Sequence, residues 1–295
     1  MGRIFKNLKL TFFFKNPIYN FFLEKKAKSK ILFNPEDFWG GDTESGQNII
    51  NGYINFYGES SDFKNNIWEK NKASEFWNNQ LHSFEWIRDI KAVGTNKARI
   101  FLRDNLLEWL KKNKDWDSFS WKIPVLSKRI TNLLSNLSFY FNTADEKFQK
   151  KVSRSINKQS MHLHNFSNKE YFSNEQIFVV KALILSSLAF QNLRNRLDLG
   201  LKKLNELMDR DIHSDGMHYL KSPSEHFVFL RSLLDIKNYL GTFKIKIPET
   251  LNEKISIMTS VLKFFRIGNG ELNVFNNYEY IENFSIDQLI KRANS

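Results

Sequence analysis

Apolar residues recur along most of this chain with the spacing of amphipathic helices. Between Lys72 and Gly94 they return every three or four positions, and Gly94 ends the run. The same spacing predicts six more helices, because each keeps one face apolar and the other polar. These helices are predicted at Lys97–Asn113, Pro124–Tyr140, Ala144–Phe166, Asp198–Ile212, Ser224–Tyr239 and Glu249–Phe265.

A further predicted helix, Asn174–Leu193, is apolar on nearly every side. Its central part reads I-F-V-V-K-A-L-I-L-S-S-L-A-F. This stretch of 14 residues is too short to cross a bilayer, since a spanning helix needs about 20 apolar residues. It is therefore predicted to be an inner helix, surrounded by the amphipathic ones.

Two short segments are predicted to be extended. Tyr53–Tyr57 lies among the densest turn signals of the chain, and residues 271–275 follow a hairpin-type turn at Gly268–Gly270. The two segments are candidates to pair with each other. The predicted fold class is all-α, with antiparallel helix pairs in two layers and short extended segments near 53–57 and 271–275.

Composition agrees with a helical chain and narrows the chemistry. Glycine and proline are scarce, at 12 and 5 of 295 residues, and cysteine is absent. The lack of cysteine excludes disulfides, thiolate nucleophiles and cysteine zinc sites. The chain also has no phosphate-binding glycine loop, no H-E-x-x-H and no G-x-S-x-G. His162 and His164 have no third ligand close in sequence, so we predict neither a metal site nor a cofactor.

Positive charge is concentrated at the N-terminus. The formal net charge is +12, and residues 1–30 contain eight lysines and arginines against one glutamate. Such a segment can attract nucleic acid, anionic lipid or an acidic polymer. Its part L-T-F-F-F-K-N-P-I-Y-N-F-F-L-E-K-K suits either a membrane surface or packing onto its own domain. A membrane surface is kept as a candidate partner, whereas nucleic acid is not expected.

The N-terminus does not read as a secretion signal. The apolar run Leu8–Phe14 is short, is interrupted by Lys9, and has no small-residue cleavage site after it. No segment approaches the roughly 18 apolar residues of a membrane span. The expected location is the cytoplasm or the membrane periphery, with the periplasm as the alternative.

Three of the six histidines lie in Arg210–Ile236, a polar loop followed by a helix. They are His213, His218 and His226, and Asp215-Gly216 predicts a turn among them. Loops on a rigid helical scaffold often carry binding and catalytic groups. Histidines in such a loop can equally be satisfied structural residues.

Several segments, taken together, resemble a known family. They are W-G-G-D-T-E-S-G (39–46), L-H-S-F-E-W-I-R-D-I (81–90), S-W-K-I-P-V-L-S-K-R-I-T-N-L-L (120–134), D-I-H-S-D-G-M-H-Y-L-K-S-P-S-E-H (211–226) and F-F-R-I-G-N-G-E-L-N-V-F-N (264–276). In order and spacing they are similar to the N-terminal domain of the heparinase II/III family of polysaccharide lyases. The resemblance covers about residues 35–280. It implies an incomplete (α/α) toroid with a cleft for an acidic polysaccharide.

The resemblance implies β-elimination beside a uronic acid, as on glycosaminoglycans. Such a site must neutralise the carboxylate, remove a proton next to it and protonate the leaving oxygen. The family's Asn-His pair corresponds to Asn174 and Glu175, and its S-P-x-Y-H corresponds to S-P-S-E-H ending at His226. We therefore predict Asn174 on the carboxylate, His226 in proton transfer and Glu225 in place of the family's tyrosine.

The two departures from the family pattern leave other roles open. Glu225 with Ser222 also forms a helix capping box, which satisfies backbone donors and needs no catalysis. Tyr219 is a candidate for the missing phenol. Arginine pairs with carboxylates and indoles stack on sugar faces, which adds substrate-binding candidates. The predicted substrate-binding residues are His218, Arg129, Trp86, Trp121 and Lys221.

Three segments and three functions are expected. Residues 1–34 form a basic, aromatic segment, 35–280 the toroid domain and 281–295 a C-terminal tail, without the family's β-sandwich domain.

The first function is a lyase acting on an acidic polysaccharide, with a separate β-sandwich half as a candidate partner. The second is a non-catalytic glycan-binding module or a fragment lacking that half, and the third is membrane or nucleic-acid binding through the N-terminus. Whether the chain is an enzyme stays open.

Overall fold

The chain is helical throughout most of the part that the structure describes. The structure is a computed structural model, and it describes residues 13–27, 30–32, 35–62, 67–68, 73–166, 175–273, 275–276, 281 and 283–294. The chain divides into two compact units. Unit 1 consists of residues 1–170 and 186–195, and unit 2 consists of residues 171–185 and 196–295. The helices confirm the all-α fold class expected from the apolar spacing.

Unit 1 is built from helices and one β-hairpin. Its long helices pack in pairs, with α3 and α8 both against α6 and α1 against α8. Its elements are α1 (Pro17–Lys26), α2 (Thr43–Ile50), β1 (Tyr53–Phe56), β2 (Glu59–Asp62), α3 (Glu75–Ser83), α4 (Ile87–Val93), α5 (Asn96–Lys112), α6 (Ile123–Ser135), α7 (Leu137–Tyr140) and α8 (Glu146–Phe166).

The hairpin corrects the expected strand pairing. Strand β1 pairs antiparallel with β2, the next segment of the chain, and with none of the described residues among 271–275. Tyr57 and Gly58 both have positive φ, at 53° and 86°. Two such residues make the tight turn that matches the twist of adjacent strands. In unit 2, Leu272 forms an isolated bridge with Arg266.

The helix expected up to Gly94 is divided at Phe84. This residue has a φ of 59°, so it ends α3 in the left-handed region, and α4 begins three residues later. Its ring is fully buried and stacks on Trp86 and Trp68, with centroids 5.3 Å and 5.4 Å away. Aromatic packing of this kind stabilises a conformation that a non-glycine residue seldom adopts.

Unit 2 is helical and begins with the inner helix. Residues Val180, Leu183 and Ile184 of that helix are at most 1% exposed, which confirms the expectation of a buried helix. Residues 281–295, expected as a tail, include a helix. The elements are α9 (Gln176–Ala189, of which residues 176–185 belong to unit 2), α10 (Leu197–Asp211), α11 (Pro223–Thr242), α12 (Glu249–Phe264) and α13 (Asn283–Ala293). The 3₁₀ helix Gln191–Arg196 belongs to unit 1 except for Arg196.

One ion pair is buried in unit 2. Lys181 Nζ of α9 donates to Asp235 Oδ2 of α11 over 2.9 Å, and both side chains are less than 9% exposed. Taking two charges out of water is unfavourable, and their mutual contact offsets part of that cost. The pair therefore fixes the position of α9 against α11.

We expect Asp235→Ala to lower the free energy of unfolding by about 3–5 kcal/mol, because it leaves the ammonium of Lys181 buried without this carboxylate. Urea unfolding followed by circular dichroism measures the change. The matched control is Glu206→Ala, which removes the exposed pair with Lys202 and should change stability by less than about 0.5 kcal/mol. Equal effects of the two substitutions would contradict this role of Asp235.

Candidate active site

Backbone hydrogen bonds join the two ends of the loop between α10 and α11. Tyr219 N donates to Asp211 O over 2.9 Å, and Ile212 and His218 form an antiparallel bridge. Inside this closure His213 N donates to Met217 O over 2.9 Å. The polar loop expected from the sequence is therefore a small, ordered hairpin that begins at the end of α10.

Gly216 rests directly against helix α12. Its φ is 87°, and a Cβ placed there would lie 2.8 Å from Ile257 Cγ1 and 3.1 Å from the Ile257 carbonyl. Only glycine combines this φ with so close an approach. The Asp-Gly pair of the sequence thus marks both a turn and the point where the loop meets α12.

His226, the predicted proton-transfer residue, is fully buried at the start of α11. Its Nε2 donates to Met258 O of α12 over 2.8 Å, and its Nδ1 accepts from His218 N over 3.4 Å. Both ring nitrogens are therefore engaged with backbone, in the neutral tautomer protonated at Nε2. Burial, the largest cause, lowers the pKa of His226 to about 4. In this arrangement His226 joins the loop to α12.

His218 is buried beside it but makes no polar contact through its ring. It is 1% exposed, and neither ring nitrogen has a hydrogen-bond partner among the described residues. Its ring packs on Phe229 and Tyr219, with centroids 5.0 Å and 4.8 Å away. Burial lowers its pKa to about 4. His218, predicted to bind substrate, is therefore placed with its ring between two aromatic side chains and almost no exposed surface.

Arg210 connects the loop to the start of α9. Its guanidinium donates two hydrogen bonds to the carboxylate of Asp211, from Nε over 2.5 Å and from Nη2 over 2.8 Å. Its Nη1 donates to Gln176 Oε1 over 2.7 Å. Gln176 is the first residue of α9 and lies two positions after Asn174. Asn174 itself lies outside the described residues.

Several residues of the loop and of the first turn of α11 are exposed or half-buried. Tyr219 is 36% exposed, and its pKa is raised by burial and by the carboxylate of Asp211. Lys221 is exposed and has a φ of 52°. Glu225 is half-buried, and its backbone N–H donates to Ser222 Oγ over 3.5 Å as the capping box predicts. The loop thus presents Arg210, Tyr219 and Lys221 outward above the buried histidines.

An open hollow lies on the α12 side of the same loop. It has a volume of about 390 Å³ and is lined by Asp215 and Met217 of the loop together with Ile257, Phe264 and other residues of α12. Among the described residues that line it, Asp215 is the one that carries a charge. A wall that is apolar and carries one negative charge does not suit an anionic sugar.

The remaining predicted ligands lie in unit 1, and all are buried. Arg129 is 0% exposed. Its Nη1 donates to His82 O over 3.0 Å, and its Nε donates to Gln159 Oε1 over 2.7 Å. The guanidinium carbon lies 4.5 Å from the centroid of the Trp109 ring. Burial lowers its pKa to about 9. Arg129, predicted to contact an anionic sugar, is thus placed with its guanidinium enclosed by the core of unit 1.

Trp86 and Trp121, predicted as sugar platforms, are each 2% exposed. Trp86 Nε1 donates to Leu81 O over 3.0 Å, and its ring stacks on Phe84. Trp121 makes an edge contact with His162 at 5.2 Å. With so little exposed surface, both rings form part of the core of unit 1.

The two histidines of the possible metal pair have separate partners. His162 Nδ1 is 2.7 Å from the Tyr19 hydroxyl, whereas His164 Nε2 is 3.1 Å from Ser186 Oγ. Residues two apart on a helix point to different sides. Among the described residues no group of three or more His, Cys, Asp or Glu is arranged to hold a metal ion.

A family model described as the heparinase II/III N-terminus matches residues 46–293. This match covers most of the chain. The chain belongs to the heparinase II/III N-terminal domain family. The resemblance read from the five sequence segments is thereby confirmed, and the match includes the helix α13 near the end of the chain.

Solved structures show the same fold. The chain matches heparinase III with a TM-score of 0.73 at 17% identity, over 92% of this chain and 48% of that one. It matches the heparan sulfate lyase HepC from Pedobacter heparinus with a TM-score of 0.68 at 17% identity, over 93% of this chain and 48% of that one. The fold expected from the resemblance, an all-α toroid domain, is confirmed, and the chain spans about half the length of these lyases.

One curated relative is not named as a lyase. The FtsZ-localized protein C of Caulobacter vibrioides is 28% identical over 201 residues, which are 68% of this chain and 34% of that protein. The chain therefore spans about a third of that relative's length.

The contact between Arg210 at the end of α10 and Gln176 at the start of α9 was not predicted from the sequence. Both residues are near the predicted motifs, but their contact joins segments 34 positions apart. A signal was present in the Arg-Asp dipeptide at the end of α10, where a basic side chain commonly lies near a helix C-terminus. Which partner that arginine reaches depends on how α9 and α10 pack.

We expect the free energy of unfolding to fall as the pH drops from about 6.5 to about 4. The unfolded chain binds a proton at His226 in this range, whereas the buried ring, with its pKa lowered to about 4, does not. The contribution is on the order of 3 kcal/mol and levels off below pH 4. Urea unfolding at a series of pH values measures it.

His226→Gln is the informative variant, because its amide can still donate to Met258 O but cannot titrate. It should lose a corresponding part of the pH dependence, while the control His213→Gln, at an exposed histidine, should keep the profile. An unchanged profile in His226→Gln would contradict the neutral, buried state of this ring.

Proposed function

We propose that this chain binds an acidic, uronic-acid-containing polysaccharide on the unit 2 surface formed by Arg210, Tyr219 and Lys221. The supporting observation is the hydrogen bond from Arg210 Nη1 to Gln176 Oε1 over 2.7 Å. It brings the start of α9 next to the loop between α10 and α11. These are the two places where the family resemblance puts the groups that handle the uronate.

The chemistry of the three side chains suits an anionic sugar. Arg210 is held in one orientation by Asp211, and a pre-oriented guanidinium loses little freedom when it binds a carboxylate. Lys221 adds a cationic group that is exposed at the end of the loop. The exposed ring of Tyr219 supplies an apolar face and a hydroxyl, which together suit the face and edge of a sugar.

Binding is proposed without β-elimination through His226. A general base must reach the proton that it removes. His226 is fully buried, its Nε2–H is used by Met258 O, and its Nδ1 accepts from His218 N. Glu225 at the place of the family's tyrosine serves as part of the helix cap. These observations favour the non-catalytic alternative over the lyase.

The lyase function is the second candidate, and Tyr219 is the observation that favours it. Its phenol is partly exposed and close enough to the Arg210–Asp211 pair for both charges to affect its pKa. A phenol beside a guanidinium-bound uronate is positioned to donate a proton to the leaving oxygen. A separate β-sandwich half remains a predicted partner for this function, since the lyases matched here are about twice as long as this chain.

Binding is tested with the full chain and immobilised heparin, alginate and hyaluronan. We expect saturable binding that weakens as salt is raised, because the contacts are largely ionic. The double variant Tyr219→Ala with Lys221→Ala should weaken binding by about tenfold, equivalent to about 1.4 kcal/mol.

The matched control is Lys202→Ala with Lys203→Ala, which removes two lysines from α10. Its affinity should stay within about twofold of the wild type, a difference of about 0.4 kcal/mol. Equal losses in both variants would show non-specific attraction by net charge and contradict the proposed surface.

Ultraviolet absorbance of the unsaturated uronate separates binding from cleavage in the same samples. We expect binding without product. Product that disappears in Tyr219→Phe would instead establish the lyase function, because this substitution removes only the hydroxyl.

A further inference from the structure

Helix α1 is attached to unit 1 by one side only. The Tyr19 hydroxyl lies 2.7 Å from His162 Nδ1 of α8, and Leu23 is 4% exposed. Before the helix, Phe14 is buried and receives a hydrogen bond on its carbonyl from the Asn20 amide over 3.1 Å. These contacts fix which side of α1 is turned away from the protein.

The outer side of α1 is apolar and exposed. Ile18, Phe21 and Phe22 are 62%, 62% and 54% exposed, and Phe13 just before the helix is 58% exposed. Positions 18, 21 and 22 share one helix face by their spacing. Single exposed apolar residues are common, but four together on one short segment mark an interaction surface.

Positive charge frames this apolar face. Lys15 lies before the helix, Lys25 and Lys26 are in its last turn, and all three are exposed. Glu24 is the one acidic residue among positions 1–30. Its carboxylate is directed to the protein's own cations, with Lys114 Nζ 3.3 Å away. It therefore does little to offset the lysines on the outer side.

The apolar side chains and the lysines together indicate which kind of partner binds this face of α1. A second copy of the chain would bring two sets of lysines together, and a nucleic acid backbone offers no place for three large apolar side chains. An anionic lipid surface satisfies both groups, because the aromatic residues enter the boundary between headgroups and acyl chains while the lysines attract the headgroups.

We propose that α1 is a membrane-surface anchor that inserts Ile18, Phe21 and Phe22 into an anionic lipid monolayer. The helix lies in the plane of the interface and does not cross it. None of the described helices is long and apolar enough to span a membrane. The polysaccharide-binding function proposed for unit 2 is not needed for this inference.

The test is flotation of the full chain with vesicles. We expect the wild type to float with vesicles of phosphatidylglycerol and phosphatidylcholine in equal parts, and much less with phosphatidylcholine alone. Phe21→Ser with Phe22→Ser should reduce the bound fraction about tenfold, since burying apolar groups supplies most of the attraction. Lys25→Ser with Lys26→Ser should weaken binding only to the anionic vesicles.

Phe76→Ser with Phe264→Ser is the matched control, because these phenylalanines are 48% and 82% exposed but lie elsewhere. This variant should float like the wild type. Circular dichroism shows whether each variant is folded. Absence of wild-type flotation, or equal loss in both phenylalanine pairs, would overturn the proposal.

A site-specific probe gives a second measurement. The chain has no cysteine, so Ile18→Cys can be labelled at one position with an environment-sensitive dye. A blue shift with anionic vesicles supports insertion. A blue shift that appears without lipid and grows with protein concentration would indicate self-association. A blue shift produced by duplex oligonucleotide alone would indicate nucleic-acid binding. Either result overturns the proposal.

Discussion

The hydrogen bond from His226 Nε2 to Met258 O is the interaction on which the candidate site depends. It lies in a fully buried position and joins the start of α11 to α12. Gly216 meets Ile257 of the same helix at a distance that leaves no room for a side chain. Together these contacts hold the loop after α10, so the outward positions of Arg210 and Tyr219 follow from a contact on its inner side.

The structural role of His226 explains why a histidine stands at this position of the family pattern. The same role makes its ring unavailable for proton transfer. Desolvation disfavours the charged imidazole, and the two backbone contacts are satisfied by the neutral one. His218 shows the same preference for the neutral form without any hydrogen bond of its ring. The exposed polar side chain beside these buried rings is Arg210, which is held by Asp211 and Gln176. A family fold is thereby retained while the proposed function rests on different side chains.

Local signals predicted the helices well and the side-chain environments poorly. Helix α12 begins at the expected residue, Glu249, because Pro248 precedes it, and Ser222 caps α11 as its sequence indicates. The break at Phe84 and the burial of Arg129 were missed, because both arise from packing with residues distant in sequence. An exposed and an enclosed arginine look identical in a helical pattern. The resemblance supplied the fold, but it could not show which of its matching positions face solvent.

The central claim is that an acidic polysaccharide binds over the loop after α10 and the start of α9. Hydrogen–deuterium exchange of the full chain, with and without saturating heparin oligosaccharide, tests it most directly. We expect slower exchange in peptides covering 210–222 and 174–180, with the hairpin Tyr53–Asp62 unchanged. Protection confined to residues 1–30, or to α8 of unit 1, would contradict it and would assign the binding to the basic surfaces there.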